Sequence, residues 1–340
     1  MRLTELSSQG GCSAKIGQED LVAVFSGLLA PMAGPLLVSA EGMDDAAVYQ
    51  VSEELALVAT TDFFPPPVDD PRDYGAIATA NALSDVYAMG GSPLLLLNLV
   101  GFDLADLGGG ILREILEGGA EVAREAGCAV AGGHSIRTSE PIFGCAVVGA
   151  VHPGRVVINS SARPGDRLLL TKPLGTGVVL NAHKQQRVAA ETLAEAVSVM
   201  RRLNRAAAAA MVQGRASAAT DVTGFGLLGH AHNLARASGV VVRVVAERLP
   251  IIPGVPELIR EGLVPGGSRR NLELARSRCR LGPEVDPMLL QLACDAQTSG
   301  GLLIAAPSPG ADHILSAGVG AVEVGEVLPG RDRQPPVELV

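Results

Sequence analysis

Near its N-terminus the sequence places a thiol and an amine three residues apart, Cys12 and Lys15, inside the glycine-bounded polar stretch SSQGGCSAKIG at positions 7–17. A cation beside a thiol lowers its pKa, and the thiolate is the reactive form. The competing reading is a disordered end with an incidental cysteine, because chain ends are commonly poorly ordered. Further along, carboxylates collect where apolar runs begin and end. Asp44 and Asp45 precede AAVYQV, Asp62 closes LALVATTD, and Asp85 follows Asn81 by four residues in YGAIATANALSDVYAM, so the last two share one helix face. Solvation at a surface accounts for any one of them. It does not account for the Asn81/Asp85 pair, which interrupts a helix otherwise made of Ala, Ile, Leu and Met. Carboxylates and amides are hard oxygen ligands, suited to Mg²⁺ that also holds phosphate oxygens.

Glycine supplies the other half of an anion site. AGGHSI puts Gly132, Gly133, His134 and Ser135 directly after the strand CAVAGG, where the backbone can approach a ligand and turn its N–H groups inward. A hydrogen-bonded turn histidine is the bland alternative for His134. No GxxxxGK[ST] occurs, so an ATP site here is not a P-loop. GFGLLG at 224–229 does match GxGxxG, with Glu247 at nearly the Rossmann spacing. The preceding RASAATDVT makes a poor buried parallel strand, however, and Asp221 would sit against a pyrophosphate. TDVTGFG reads better as a carboxylate plus a Gly-rich turn at a helix N-terminus.

The elements that must position these groups alternate. LVAVFSGLLA reads as helix, AAVYQV and LALVATT as adjacent strands, YGAIATANALSDVYAM as helix and PLLLLNLVG as strand. ILREILEGGAEVAREAG reads as helix and IFGCAVVGAV as strand. HPGRVVINSSARPGD, rich in Pro, Gly and Ser, marks a domain junction. The pattern then restarts with RLLLT, one long helix LAEAVSVMRRLNRAAAAAMVQ, and the strands VVVRVVAE, GLLIAAP and AVEVGEV. The expected organisation is a catalytic loop at 1–17, an ATP- and metal-binding domain at 18–155 and a second α/β domain at 165–340.

Three hundred and forty residues, 47% hydrophobic and 19% charged, suit a soluble two-domain enzyme. The net charge of −9, with no Trp, six Phe and three Tyr, argues against nucleic acid as a partner. Five cysteines without a CxxC pair fit a reducing compartment. The longest apolar run is too short to span a bilayer, so a cytoplasmic protein is expected.

GGCSAKI, DDAAVY, TTDFF, YGAIATANALSDVYAMGG, AGGHSI, PIFG, TKPLGTGV, TDVTGFGLLGH, PGVPELI, PGGSRRN and CDAQTSGGLL occur in this order and together resemble the selenophosphate synthetase (selenide, water dikinase) family, from about residue 1 to about 330. The general plan is shared with aminoimidazole ribonucleotide synthetase, thiamine-monophosphate kinase and a hydrogenase maturation factor. The resemblance implies an α/β fold of the α+β type in two domains. It also implies a homodimer whose N-terminal strands form an intersubunit barrel, and the reaction ATP + selenide + water → selenophosphate + AMP + phosphate. Carried over by position, Cys12 and Lys15 are the catalytic pair. Asp45, Asp85 and Asp221 are the metal ligands. Lys15, Gly42, Met43, Asp44, Asp62, Asp85, Gly133, His134 and Ser135 line the nucleotide, with Asn81 beside them. Mg²⁺ is the implied ion, and potassium the suggested monovalent one.

Two positions depart from the family pattern. Met43 stands where a basic residue often precedes the Asp pair, and Ala14 where some members carry a second cysteine. Lys15 adds one mobile positive charge as the segment closes over phosphates, with Gly10, Gly11 and Gly17 as its hinge. A simple kinase of the same superfamily would use the carboxylates equally well but gives no reason for GGCSAK. A non-enzymatic nucleotide-binding homologue would be expected to have lost the cysteine.

Overall fold

The structure is a computed structural model that describes residues 2–7, 10–15, 24, 34–39, 42–330 and 334–340. Of the helix expected over LVAVFSGLLA only Val24 is among them; the rest of that stretch, and the hinge residue Gly17, lie outside.

Two mixed sheets carry the fold. The first has the order β1-β2-β3-β6-β4-β5, built from Leu36–Val38, Ala47–Gln50, Ala56–Phe64, Ile142–Val151, Ser92–Gly101 and Ala129–Ile136. It is antiparallel except where β5 lies parallel to β4. The second has the order β10-β13-β9-β12-β7-β11-β8, from Cys279–Leu281, Val337–Leu339, Val240–Val244, Val322–Pro329, Arg167–Leu170, Leu302–Ala306 and Ala218–Asp221. Antiparallel pairing dominates here as well, so the architecture is the α+β variety of a two-domain α/β fold. The strand that ends in Asp221 is short and fully buried, contrary to the poor strand its polar residues suggest. It pairs antiparallel to β11, which confirms that GFGLLG is not a Rossmann turn.

Helix α1, Pro71–Ala88, is the keel that joins the two domains. Asp70 caps it by accepting the Asp73 N–H at 2.8 Å, and Pro71 occupies the first turn where no donor is needed. Nearly every side of α1 is buried, because its side chains are small enough to pack against β3 and β6, against α2 (Gly109–Ala126), and against the second domain. The last contact runs through α3 (Ala190–Arg201), α4 (Arg205–Gln213) and β8. A Cβ on Gly75 would come within 1.8 Å of the Ile115 carbonyl oxygen, and one on Gly118 within 2.0 Å of that of Arg72. Gly118→Ala is therefore expected to destabilise the fold by about 1–3 kcal/mol through overpacking, read as a lower denaturant midpoint at constant m. An unchanged midpoint would contradict this packing.

The Ala-rich run expected as one long helix is two, α3 and α4, broken at Arg202–Asn204. Asn204 causes the break: its buried amide donates to Ser84 Oγ and to the Gly300 carbonyl, both at 2.9 Å. Tertiary hydrogen bonds outweigh the local helix propensity of the alanines.

A candidate active site at the domain interface

The carboxylates converge where the C-terminal half of α1 meets β3 and β8. Asp62 points from β3 to the helix side of the first sheet, as do Thr60 and Phe64. Asn81 and Asp85 reach the same place from α1, as their four-residue spacing predicts. Asn81 donates to Asp62 Oδ2 at 2.5 Å, and Thr60 donates to Asp85. From the second domain Thr220 donates to Asp45 Oδ1 at 2.8 Å, bringing Asp45 beside Asp221.

These acids crowd one another. Burial, then Asp221 and Asp85, push Asp45 well above the usual carboxylate range. Burial, then Asp221 and Asp62, do the same to Asp85, with Lys15 opposing. Asp221 is raised chiefly by burial, against hydrogen bonding from Ser84 and the charge of Lys15. Asp44 rises to about 6 through burial, tempered by the Asn159 and Asp45 backbone N–H groups. Asp45 Oδ2 and Asp221 Oδ2 are buried without any hydrogen-bond partner. Unpaired, mutually repelling hard oxygens fit a divalent cation. Among the described residues no three acidic, thiol or imidazole groups surround a common point. Thr60, Thr220, Asn81 and Lys15 instead occupy carboxylate oxygens that an ion would take over.

The Gly42–Asp44 segment is tied to the domain junction. Asn159 donates from its amide to the Gly42 and Met43 carbonyls, and its backbone N–H meets the Asp44 carboxylate. Met43 is thereby held at φ +50°, a left-handed conformation uncommon for a residue with a side chain.

The N-terminal segment closes over this cluster. Arg2 and Thr4 bond Asp69, and Arg2 also donates to the His183 and Lys184 carbonyls in Thr176–Lys184, helix α5 in this numbering. Residues 10–15 then settle between Pro65–Pro67 of the first domain and Gly224, Gly267 and Thr298 of the second. The Gly11 N–H donates to Pro65 O and the Cys12 N–H to Thr298 Oγ1, each at 3.1 Å. Gly11 has φ +58°, and a Cβ there would lie 2.4 Å from Thr298 Oγ1. A Cβ on Gly224, in the turn after Asp221, would lie 2.8 Å from Cys12 O. Lys15 reaches Asp62 Oδ2 at 2.9 Å. Burial is the largest single influence and opposes its charge, but Asp62, by charge and hydrogen bond, together with Cys12 and Asp85 raises the pKa and keeps the ammonium protonated.

Cys12 corrects two expectations. It is buried, 1% exposed, rather than displayed at a loose end. Burial pushes its thiol up to about 12, outweighing the lowering by Lys15. One partly solvated ammonium does not compensate for desolvating a thiolate. The neutral S–H faces Asn81 Oδ1 at 3.4 Å.

The glycine segment also differs from expectation. Gly133, His134 and Ser135 are part of β5, not a loop after it, and all are exposed. Gly133 pairs with Asn98, Asn98 with Cys145 and Cys145 with Asp62, so three strand spacings, about 14 Å, separate it from Asp62. Within one chain these residues do not join the carboxylates.

Residues that motif reading left unassigned complete the site. Thr298 and Ser299 form the seat of the loop. Lys172, 1% exposed, donates to the Ser299 carbonyl at 2.8 Å; burial and then Arg202 hold it down to about 7 against the pull of Asp221. His230 accepts the Thr223 N–H at 3.1 Å, fixing the turn after Asp221, and burial holds it neutral with a pKa of about 3. The available signal was TKPLGTGV and CDAQTSGGLL, each with polar residues inside an otherwise apolar or glycine-rich run.

The profile of the AIR synthase related protein N-terminal domain matches residues 43–151, and that of the C-terminal domain residues 163–335. The selenide, water dikinase of Geobacter metallireducens is 47% identical over 337 residues, covering 98% of each chain. That of Caldanaerobacter subterraneus subsp. tengcongensis is 44% identical, covering 98% of this chain and 96% of the relative. That of Myxococcus xanthus is 47% identical, covering 97% and 95%. Among solved structures, a thiamine monophosphate kinase from Aquifex aeolicus aligns with a TM-score of 0.67 at 19% identity, covering 95% of this chain and 98% of that one. The hydrogenase maturation protein HypE in complex with ATP aligns with a TM-score of 0.62 at 18% identity, covering 100% and 94%. These two similarities concern the fold.

Proposed function

Because this chain belongs to the selenide, water dikinase family, within the AIR synthase-related proteins, we propose that its two domains divide the synthesis of selenophosphate between a carboxylate cluster that handles the ATP phosphates and an N-terminal loop that handles selenium. The reaction is ATP-dependent: selenide and water take up two phosphoryl groups, and AMP is left. Two P–O–P bridges are therefore cut, one with formation of a Se–P bond and one with water as acceptor. Such transfers require positioning and charge neutralisation more than covalent chemistry from the protein.

Asp45, Asp85 and Asp221 would hold the divalent ion, Mg²⁺, which neutralises phosphate charge in a protein whose own charge of −9 repels it. Asp44, Gly42 and Met43 flank this cluster as the nucleotide-lining turn, and Asp62 Oδ2 accepts from both Asn81 and Lys15. Lys15 exchanges Asp62 for a phosphate oxygen as the transferring group becomes more negative. The Cys12–Lys15 segment excludes water while docked. Cys12 contributes a neutral S–H to Asn81 in this closed state and becomes acidic only when the segment lifts into solvent.

Gly133, His134 and Ser135 contact the nucleotide away from the carboxylates. Potassium is the proposed monovalent ion, and the setting is the cytoplasm. Homodimerisation is supported by the face of the first sheet that no helix among the described residues covers, which carries exposed Tyr49, Phe63, Leu94 and Leu97. Joining two such faces would close the strands into a barrel.

The observation that carries this reading is the seat of Cys12 and Lys15 directly over the carboxylates. Chromatography of nucleotides after anaerobic incubation with Mg-ATP tests it. AMP is expected to accumulate only when selenide is present, whereas ADP as the end product, with or without selenide, would identify a simple kinase.

A further inference from the structure

Ser299 lies in the turn Thr298–Gly301 of the second domain, and three features of it have no structural use. Its φ is +50°, although two glycines follow it and glycine would occupy this conformation without strain. Its hydroxyl oxygen is buried and has no hydrogen-bond partner among the described residues. Its backbone N–H donates at 2.9 Å to Asn81 Oδ1, the same oxygen that the Cys12 thiol faces at 3.4 Å. A buried hydroxyl left unpaired on a strained residue calls for a ligand.

We propose that the Ser299 hydroxyl is the anchoring donor for hydroselenide, HSe⁻, an anion with a single heavy atom, held beside Cys12 under the docked loop. The inference rests on the reading of the reaction given above. Asn81, bridging Cys12 and Ser299, sets the two around one point. Asp62 on the amide side of Asn81 continues the line toward the phosphates. Lys172, donating to the Ser299 carbonyl at 2.8 Å, is the positioning residue that holds the turn in its strained form. The site forms only when residues 10–15 are docked, because Thr298 of the same turn receives the Cys12 N–H. Selenide captured in this way is shielded from solvent before transfer.

The test compares wild type with Ser299→Gly, which removes the hydroxyl and relieves the backbone, and with Ser299→Ala, which removes the hydroxyl and keeps the Cβ. Initial rates of AMP formation are measured against sodium selenide and against Mg-ATP under anaerobic conditions. Loss of a donor to a buried anion is expected to raise KM for selenide about 10- to 100-fold in both variants. KM for ATP should stay within about threefold, and the melting temperature of Ser299→Gly should equal or exceed that of wild type. An unchanged KM for selenide overturns the proposal. So does an equal rise in KM for ATP, which would assign the hydroxyl to a phosphate oxygen, or a lowered melting temperature in Ser299→Gly, which would make the hydroxyl structural. Failure of the wild-type enzyme to make AMP from selenide would instead refute the underlying reaction, and is read before any variant.

Discussion

Lys15→Ala is expected to lower selenophosphate formation by about 10³-fold while Mg-ATP binding stays within roughly tenfold of wild type. The effect lies in the chemistry, not in stability. The Lys15–Asp62 ion pair is a single contact with the lysine side chain one-third exposed, and such pairs contribute at most about 1 kcal/mol. Its loss should therefore leave the melting temperature nearly unchanged. What disappears is a mobile positive charge already poised at the carboxylate cluster, available as charge develops on the transferring phosphoryl group. On the proposed assignment Asp45, Asp85 and Asp221 still hold the ion that carries the nucleotide, so equilibrium binding by calorimetry and turnover should separate. Undiminished turnover would refute the role given to Lys15, and loss of nucleotide binding in parallel with turnover would reduce it to a ground-state contact.

Asp45→Asn should have opposite effects on stability and activity. Its Oδ1 would still accept the Thr220 hydroxyl, while an amide N–H in place of the orphaned Oδ2 could donate toward the neighbouring acids. Removing one of several crowded buried charges is expected to raise the melting temperature of the metal-free protein by about 2–5 °C and to lower turnover by at least about 10²-fold. The pH dependence follows with a definite sign. Asp44, Asp45, Asp85 and Asp221 have raised folded-state pKa values, so the stability they contribute is full below about pH 3.8 and is lost as pH rises through those values. His230 and His232, held neutral with pKa values of about 3 and 4, act in the opposite sense, costing stability as pH falls below 6.5. On the proposed assignment, magnesium binding at these carboxylates is expected to expel protons. A weakly buffered solution at pH 6 should acidify when Mg²⁺ is added to wild type and acidify less for Asp45→Asn. Equal melting temperatures and equal proton release would contradict a role for Asp45 in the cluster.

How much of this was legible in the sequence depends on the range of the interaction. Asn81 and Asp85 were readable because a four-residue spacing sets one helix face, and α1 is indeed that helix. Cys12 and Lys15 stood out by residue type and by the glycines around them. Their surroundings did not, since the thiol partner is 69 residues away and the Thr298 hydroxyl 286. For that reason the sequence suggested an acidic, exposed thiol, whereas burial by the second domain makes it a weak acid. The break between α3 and α4 was hidden in the same way: Asn204 is unremarkable in an alanine-rich helix until Ser84 and Gly300 arrive from elsewhere in the fold. AGGHSI has the composition of an anion-binding turn. Register with β4, which leaves no room for a Cβ at Gly133 against the Asn98 carbonyl, makes it strand instead. Lys172 and Ser299 carried no periodicity or spacing signal, because each acquires its setting only where the domains meet.

In the proposed function the docked Cys12–Lys15 loop directs phosphoryl transfer from ATP to selenium. Phosphorus NMR of the protein with Mg-ATP and selenide under anaerobic conditions tests it most directly, run in parallel on wild type and Cys12→Ala. The expected result is a selenophosphate resonance with equimolar AMP and phosphate for wild type, and no selenophosphate for Cys12→Ala. ADP without selenophosphate from wild type, or selenophosphate from Cys12→Ala at the wild-type rate, would contradict it.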